Sequence, residues 1–139
     1  MNDQAIARVE ALYSRLAERL RRAGPSAGRC DACGRCCDFE AFDHRLFVTR
    51  PELMYLAAAV PGRRLKPMTT GRCPYNIAGK CTVYQRRFVP CRIFCCRGDS
   101  ELQARLSEWA LRELRSICEQ LHIPYRYMDL AAALGTAAG

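Results

Sequence analysis

Lysine and histidine are scarce in this sequence, with two residues of each, so arginine carries nearly all of the 22 basic charges. Neither His44 nor His122 stands at ligand spacing from a cysteine, and each reads as a structural or surface residue. No stretch approaches the ~18 consecutive apolar residues that span a bilayer, which predicts no membrane span. The first residues, Met1-Asn2-Asp3-Gln4-Ala5-Ile6-Ala7-Arg8-Val9-Glu10, lack a basic region, an apolar run and a small-residue cleavage site. They do not read as a signal peptide, and the expected location is the cytoplasm. There is no internal repeat and no low-complexity tract. Nor is there a nucleophile beside a histidine base, a phosphate loop or a metalloprotease helix, so no catalytic constellation is recognisable apart from what the cysteines build.

What is abundant is cysteine: ten in 139 residues. In a reducing compartment thiols stay unbridged, so this density points to metal or redox chemistry rather than disulfides. The length suits one domain with a modest core, and an apolar half of the chain suits a globular fold. The formal charge of +8 assumes neutral cysteines. Ligating cysteines are deprotonated, and four thiolates around Zn²⁺ or an oxidised four-iron cluster leave a net charge of about −2. The basicity is therefore a weak argument for nucleic acid.

Ile6, Val9, Tyr13, Leu16 and Leu20 recur at steps of three and four and predict an amphipathic helix over 4–22, closed by Gly24-Pro25-Ser26-Ala27-Gly28. A short extended piece is expected between Phe39 and Val48. Thr49-Arg50-Pro51-Glu52 reads as a capping box for a helix that Pro61-Gly62 ends. A short helix is expected around Val83–Phe88. Ser100 and Gln103 read as a second capping box. It opens a long helix, with Leu102, Leu106, Trp109 or Ala110, Leu114, Ile117 and Leu121 on one face, that ends near Pro124. Cys118 lies on that apolar side and reads as core. A last helix is expected over Met128–Leu134. The fold class is mainly α: a small helical domain around an irregular, cysteine-rich, metal-binding middle. The division is an N-terminal amphipathic helix, 1–24, and a cysteine-cluster domain, 28–135.

The cysteines fall in two groups. In Cys30-x₂-Cys33-x₂-Cys36-Cys37 the two-residue gaps let the chain turn back so that both sulfurs face one metal. Gly34 permits a left-handed turn beside Cys33 and close approach of backbone N–H groups to sulfur. Cys36 and Cys37, being adjacent, point apart and do not suit one mononuclear site. The second group is Cys73-x₇-Cys81-x₉-Cys91-x₃-Cys95-Cys96. Four ligands complete a closed zinc site or an ordinary iron–sulfur cluster, so two centres or one with spare thiols are both open. Arg29, Arg35, Arg72, Arg92 and Arg97 each adjoin a cysteine, where a fixed positive charge favours thiolate. An all-sulfur set suits zinc and iron–sulfur alike.

These motifs resemble the YkgJ-like cysteine-cluster proteins, a family named for its CxxCxxCC motif. Cys30, Cys33, Cys36 and Cys37 reproduce it, and Phe39, Thr49-x-x-Glu52-Leu53, Cys81-Thr82-Val83-Tyr84-Gln85-Arg86-Arg87 and Cys91-Arg92-Ile93-Phe94 are similar to the family. Cys73 stands at its fifth cysteine. The resemblance covers residues 30 to 96, and Phe88 departs from it where the family has proline. It implies a bacterial protein that chelates zinc or iron or contains an iron–sulfur cluster. Cys96, in preference to Cys95, is taken as the eighth ligand after Cys30, Cys33, Cys36, Cys37, Cys73, Cys81 and Cys91.

The leading expectation is thus a metal-binding protein holding an iron–sulfur cluster, of the four-iron kind, or Zn²⁺, with a redox, sensing or metal-handling role. One alternative is a structural zinc module whose arginines contact nucleic acid or a protein partner, and another is an enzyme that uses the cluster. Because 30–96 lacks apolar periodicity, the metal is expected to be needed for the fold.

Overall fold

The apolar stripe of the first segment becomes α1, Asp3–Ala23, in the computed structural model. The structure describes residues 3–27, 46–68, 73–77, 80–93 and 98–138. Val9, Leu12, Tyr13 and Leu16 are buried along one side of α1, while Arg21 and Arg22 sit in its last turn, where cations face the negative end of the helix dipole. A 3₁₀ turn, Gly24–Ala27, follows where the helix is expected to close, opened by Gly24 at φ 59°.

A three-residue strand, β1 (Phe47–Thr49), leads directly into α2 (Arg50–Ala57). The capping box expected at Thr49 and Glu52 is present, with Pro51 in the first turn. Gly62, at φ 63°, carries the chain through a conformation that side chains resist, just beyond the end of the helix. Two short strands, β2 (Asn76–Ile77) and β3 (Lys80–Cys81), pair antiparallel, with Asn76 opposite Cys81. The short helix expected around Val83–Phe88 is a 3₁₀ turn, Tyr84–Arg86, and a separate short helix, α3 (Val89–Ile93), follows it.

The long helix α4, Ser100–Leu121, is capped by Asp99 rather than Ser100. The Asp99 carboxylate accepts from the Leu102 amide at 2.8 Å. His122 closes α4 in the left-handed region, and the Ile123 amide returns to the Cys118 carbonyl at 2.9 Å. The helix therefore stops before Pro124. Strand β4, Tyr127–Asp129, then pairs antiparallel with β1, Val48 opposite Met128, before α5, Leu130–Ala138, begins. The expected last helix starts two residues late because Met128 and Asp129 are spent on this pairing.

Two main cores result. One joins α1, α3 and α4 through Val9, Leu12, Leu16, Val89, Leu106 and Leu114. The other gathers Val48, Leu56, Leu65, Tyr75, Phe88 and Leu134. The second takes in residues from the middle of the chain. Its partners Leu130, Ala133 and Leu134 come from the far C-terminal helix, so no local periodicity in 30–96 announces them. Each fully buried leucine contributes about 2 kcal/mol to this core. Phe88 is 4% exposed and packs in that core. The architecture is mainly α, with five α-helices and two two-stranded ribbons among the described residues. Among those residues no helix is long and apolar enough to cross a membrane.

Candidate metal centre

Of the eight expected ligands, Cys73, Cys81 and Cys91 are described, while Cys30, Cys33, Cys36, Cys37 and Cys96 lie outside the described residues, as does Cys95. The β2–β3 ribbon relates the first two. The Asn76 amide donates to the Cys73 carbonyl at 3.0 Å, and Asn76 stands opposite Cys81 in the ladder. The Tyr75 carbonyl accepts both the amide and the hydroxyl of Thr82, at 2.8 and 2.6 Å, and fixes the same end of the ribbon. The Tyr75 hydroxyl in turn accepts from the Lys66 amide at 2.8 Å. Cys73 is buried beside Tyr75 and Phe88, and Cys91 packs against the same apolar cluster. Cys81 and Cys91 are half-buried. Among the described residues alone, no three Cys, His, Asp or Glu side chains converge on one point. As a donor set, soft thiols in partly apolar surroundings fit zinc or an iron–sulfur cluster.

Cys91 sits on α3, whose approach is laced by arginines. Arg87 donates to the Cys91 carbonyl at 2.9 Å. Arg92 donates through Nε to the Arg87 carbonyl at 2.7 Å and through Nη2 to the Gln85 carbonyl at 2.8 Å. Its guanidinium lies 3.8 Å from the centre of the Tyr13 ring. Of the five arginines adjoining cysteines, Arg92 is thus committed to backbone carbonyls and an aromatic face, and Arg29, Arg35, Arg72 and Arg97 lie outside the described residues. Other arginines are spent similarly: Arg86 donates to the Tyr55 carbonyl and covers its ring, and Arg15 and Arg19 flank Trp109.

By sequence alone Glu52 is a capping residue. The side chain is 1% exposed and is the hub of a buried network. Oε1 accepts from the Thr49 amide at 3.1 Å and the Thr49 hydroxyl at 3.0 Å. Oε2 accepts from the Tyr13 hydroxyl at 3.0 Å and the Val89 amide at 2.6 Å. Burial raises the Glu52 carboxyl above its ordinary range, and the four donors offset part of that rise. The Tyr13 phenol is pushed up by burial and by the neighbouring carboxylate. One signal for this was present in the sequence: a tyrosine within an otherwise aliphatic helix stripe needs a partner for its hydroxyl. His122 is exposed at the end of α4, and Cys118 is buried with Ala5 and Ile123, as expected of core. His44 lies outside the described residues.

No protein-family model, curated protein or solved structure matches this chain. The candidate site therefore stands on its own residues and their spacing.

Proposed function

We propose that this chain is a small YkgJ-like cysteine-cluster protein that binds zinc or a four-iron iron–sulfur cluster, in one or two centres, in the cytoplasm. The observation that carries the reading is the spacing Cys30-x₂-Cys33-x₂-Cys36-Cys37 followed by Cys73, Cys81, Cys91 and Cys96. It is supported by the turn that ties Cys73 to Asn76, the ladder partner of Cys81, and by the apolar cluster against which Cys73 and Cys91 pack.

The eight cysteines would hold the metal as thiolates. A cluster would supply one-electron chemistry and zinc a rigid cross-link. The protein's own contribution is placement. The ribbon holds Cys81, a turn ties Cys73 to its first strand, the Leu65–Phe88 core limits water beside Cys73, and α3 carries Cys91. A cluster favours a redox or sensing role and zinc a structural or metal-handling one. Metal and acid-labile sulfide analysis of the anaerobically purified protein tests the proposal.

A further inference from the structure

The Glu52 carboxylate touches three other elements, two of them distant in sequence: α1 through Tyr13, the adjoining β1 through Thr49, and the first residue of α3 through Val89. Only α3 among these carries a proposed ligand, and it is five residues long. A helix this short does not hold its own conformation in water, so its position is set by what it docks against. Several ties seat it, the Arg87 guanidinium on the Cys91 carbonyl among them. Val89 and Ile93 enter the α1–α4 core, the Val89 amide binds Glu52, and the Arg92 guanidinium lies over the Tyr13 ring. Two of these ties converge on the same pair, Tyr13 and Glu52, and Cys91 lies between Val89 and Arg92 on the same helix.

We infer that Glu52 is a positioning residue for the cysteine site: it fixes Cys91 by holding the start of α3 and makes that placement depend on the seating of α1 through Tyr13. This inference rests on the metal-binding reading above, to which it adds a coupling. Whatever loosens α1 from Glu52 loosens the Cys91 ligand, and by reciprocity metal held by Cys91 tightens α1. Among the described residues the carboxylate's hydrogen-bond partners are Tyr13, Thr49 and Val89, and none is a sulfur. The carboxylate acts through the Val89 amide, as outer residues of metal sites act through the groups they orient.

The test is per-cysteine alkylation of the full chain by iodoacetamide, read by mass spectrometry, with zinc affinity measured by chelator competition on the same samples. In Glu52→Gln the Val89 amide and Tyr13 hydroxyl meet a side chain with only one acceptor oxygen. Cys91 alkylation is expected to rise about tenfold or more and zinc affinity to fall by about 10–100-fold, while Cys118, in a separate core, stays protected. General destabilisation would instead expose Cys91 and Cys118 together, and that result overturns the inference. Unchanged Cys91 reactivity and zinc affinity in a folded Glu52→Gln also overturn it. Should Glu52→Gln fail to fold, Tyr13→Phe removes a single donor to Glu52. A several-fold rise at Cys91 with Cys118 protected then supports the inference, and no rise overturns it. If the wild-type protein binds neither zinc nor an iron–sulfur cluster, the metal reading fails by itself, and the ratio of Cys91 to Cys118 alkylation still decides whether Glu52 positions α3.

Discussion

The hydroxyl of Tyr13 donates to the buried carboxylate of Glu52 at 3.0 Å, across 39 positions of sequence. The same oxygen accepts the Val89 amide, so removing the carboxylate strands a buried N–H and a buried O–H together. Each such stranded group costs about 1–3 kcal/mol. Glu52→Ala is therefore expected to destabilise the protein by ~3 kcal/mol or more, and Tyr13→Phe by ~1 kcal/mol, in urea unfolding at fixed metal loading. Equal costs for the two would mean that Glu52 is no hub.

The same carboxyl sets a pH dependence. Burial raises its pKa above the ordinary 4.5, so between the unfolded and folded values the native state binds the proton more tightly. Its favourable contribution is complete below the unfolded pKa and is lost as pH rises through the folded one. Glutamine carries no such term. The stability deficit of Glu52→Gln relative to wild type should thus shrink as pH is raised from 4.5 through the raised folded value. Paired denaturation curves in steps across that range check this, and a deficit that grows with pH contradicts it.

The start of α4 offers a discrimination between neighbours. Asp99 accepts from the Leu102 amide, and Ser100 lies inside the helix. Asp99→Ala should cost about 1 kcal/mol and Ser100→Ala a few tenths or less, measured by thermal or urea unfolding. The reverse order would restore Ser100 as the cap.

Cys118 is 1% exposed, and burial pushes its thiol pKa up, which disfavours the reactive thiolate. Native Cys118 should resist alkylation at pH 8. Cys118→Ser is expected to cost about 1–2 kcal/mol by burying a hydroxyl, with metal content unchanged. Loss of metal in that variant would make Cys118 a ligand.

Helices were the legible part of this sequence, and for a definite reason. The stripes Val9–Tyr13–Leu16 and Leu106–Leu114–Ile117 repeat with the helical period, and their burial follows from that alone. The Thr49–Glu52 box was legible because a cap is local chemistry. The Asp99 cap was not, since Asp99 and Ser100 are both good capping residues one position apart, and only the backbone selects between them. Pairing of Val48 with Met128 is nonlocal, and three-residue strands carry no periodic signal. The same holds for Leu130 and Leu134, which build the core beneath the cysteine-bearing middle. Cysteine spacing made the candidate site legible as chemistry. The dependence of Cys91 on Glu52 was illegible, because a carboxylate three residues into a helix looks the same from sequence whether it faces water or a buried tyrosine.

The most direct test is metal content. The protein is purified anaerobically from cells replete in iron and zinc, alongside Cys33→Ser and Cys81→Ser, then assayed for iron, zinc and acid-labile sulfide with a visible absorption spectrum. The account predicts stoichiometric metal in the wild type, either iron matched by sulfide in a brown protein or zinc in a colourless one. Both variants should lose a substantial part of it. Neither metal in the wild type, with all ten thiols titrating as free groups in the unfolded chain, would contradict it.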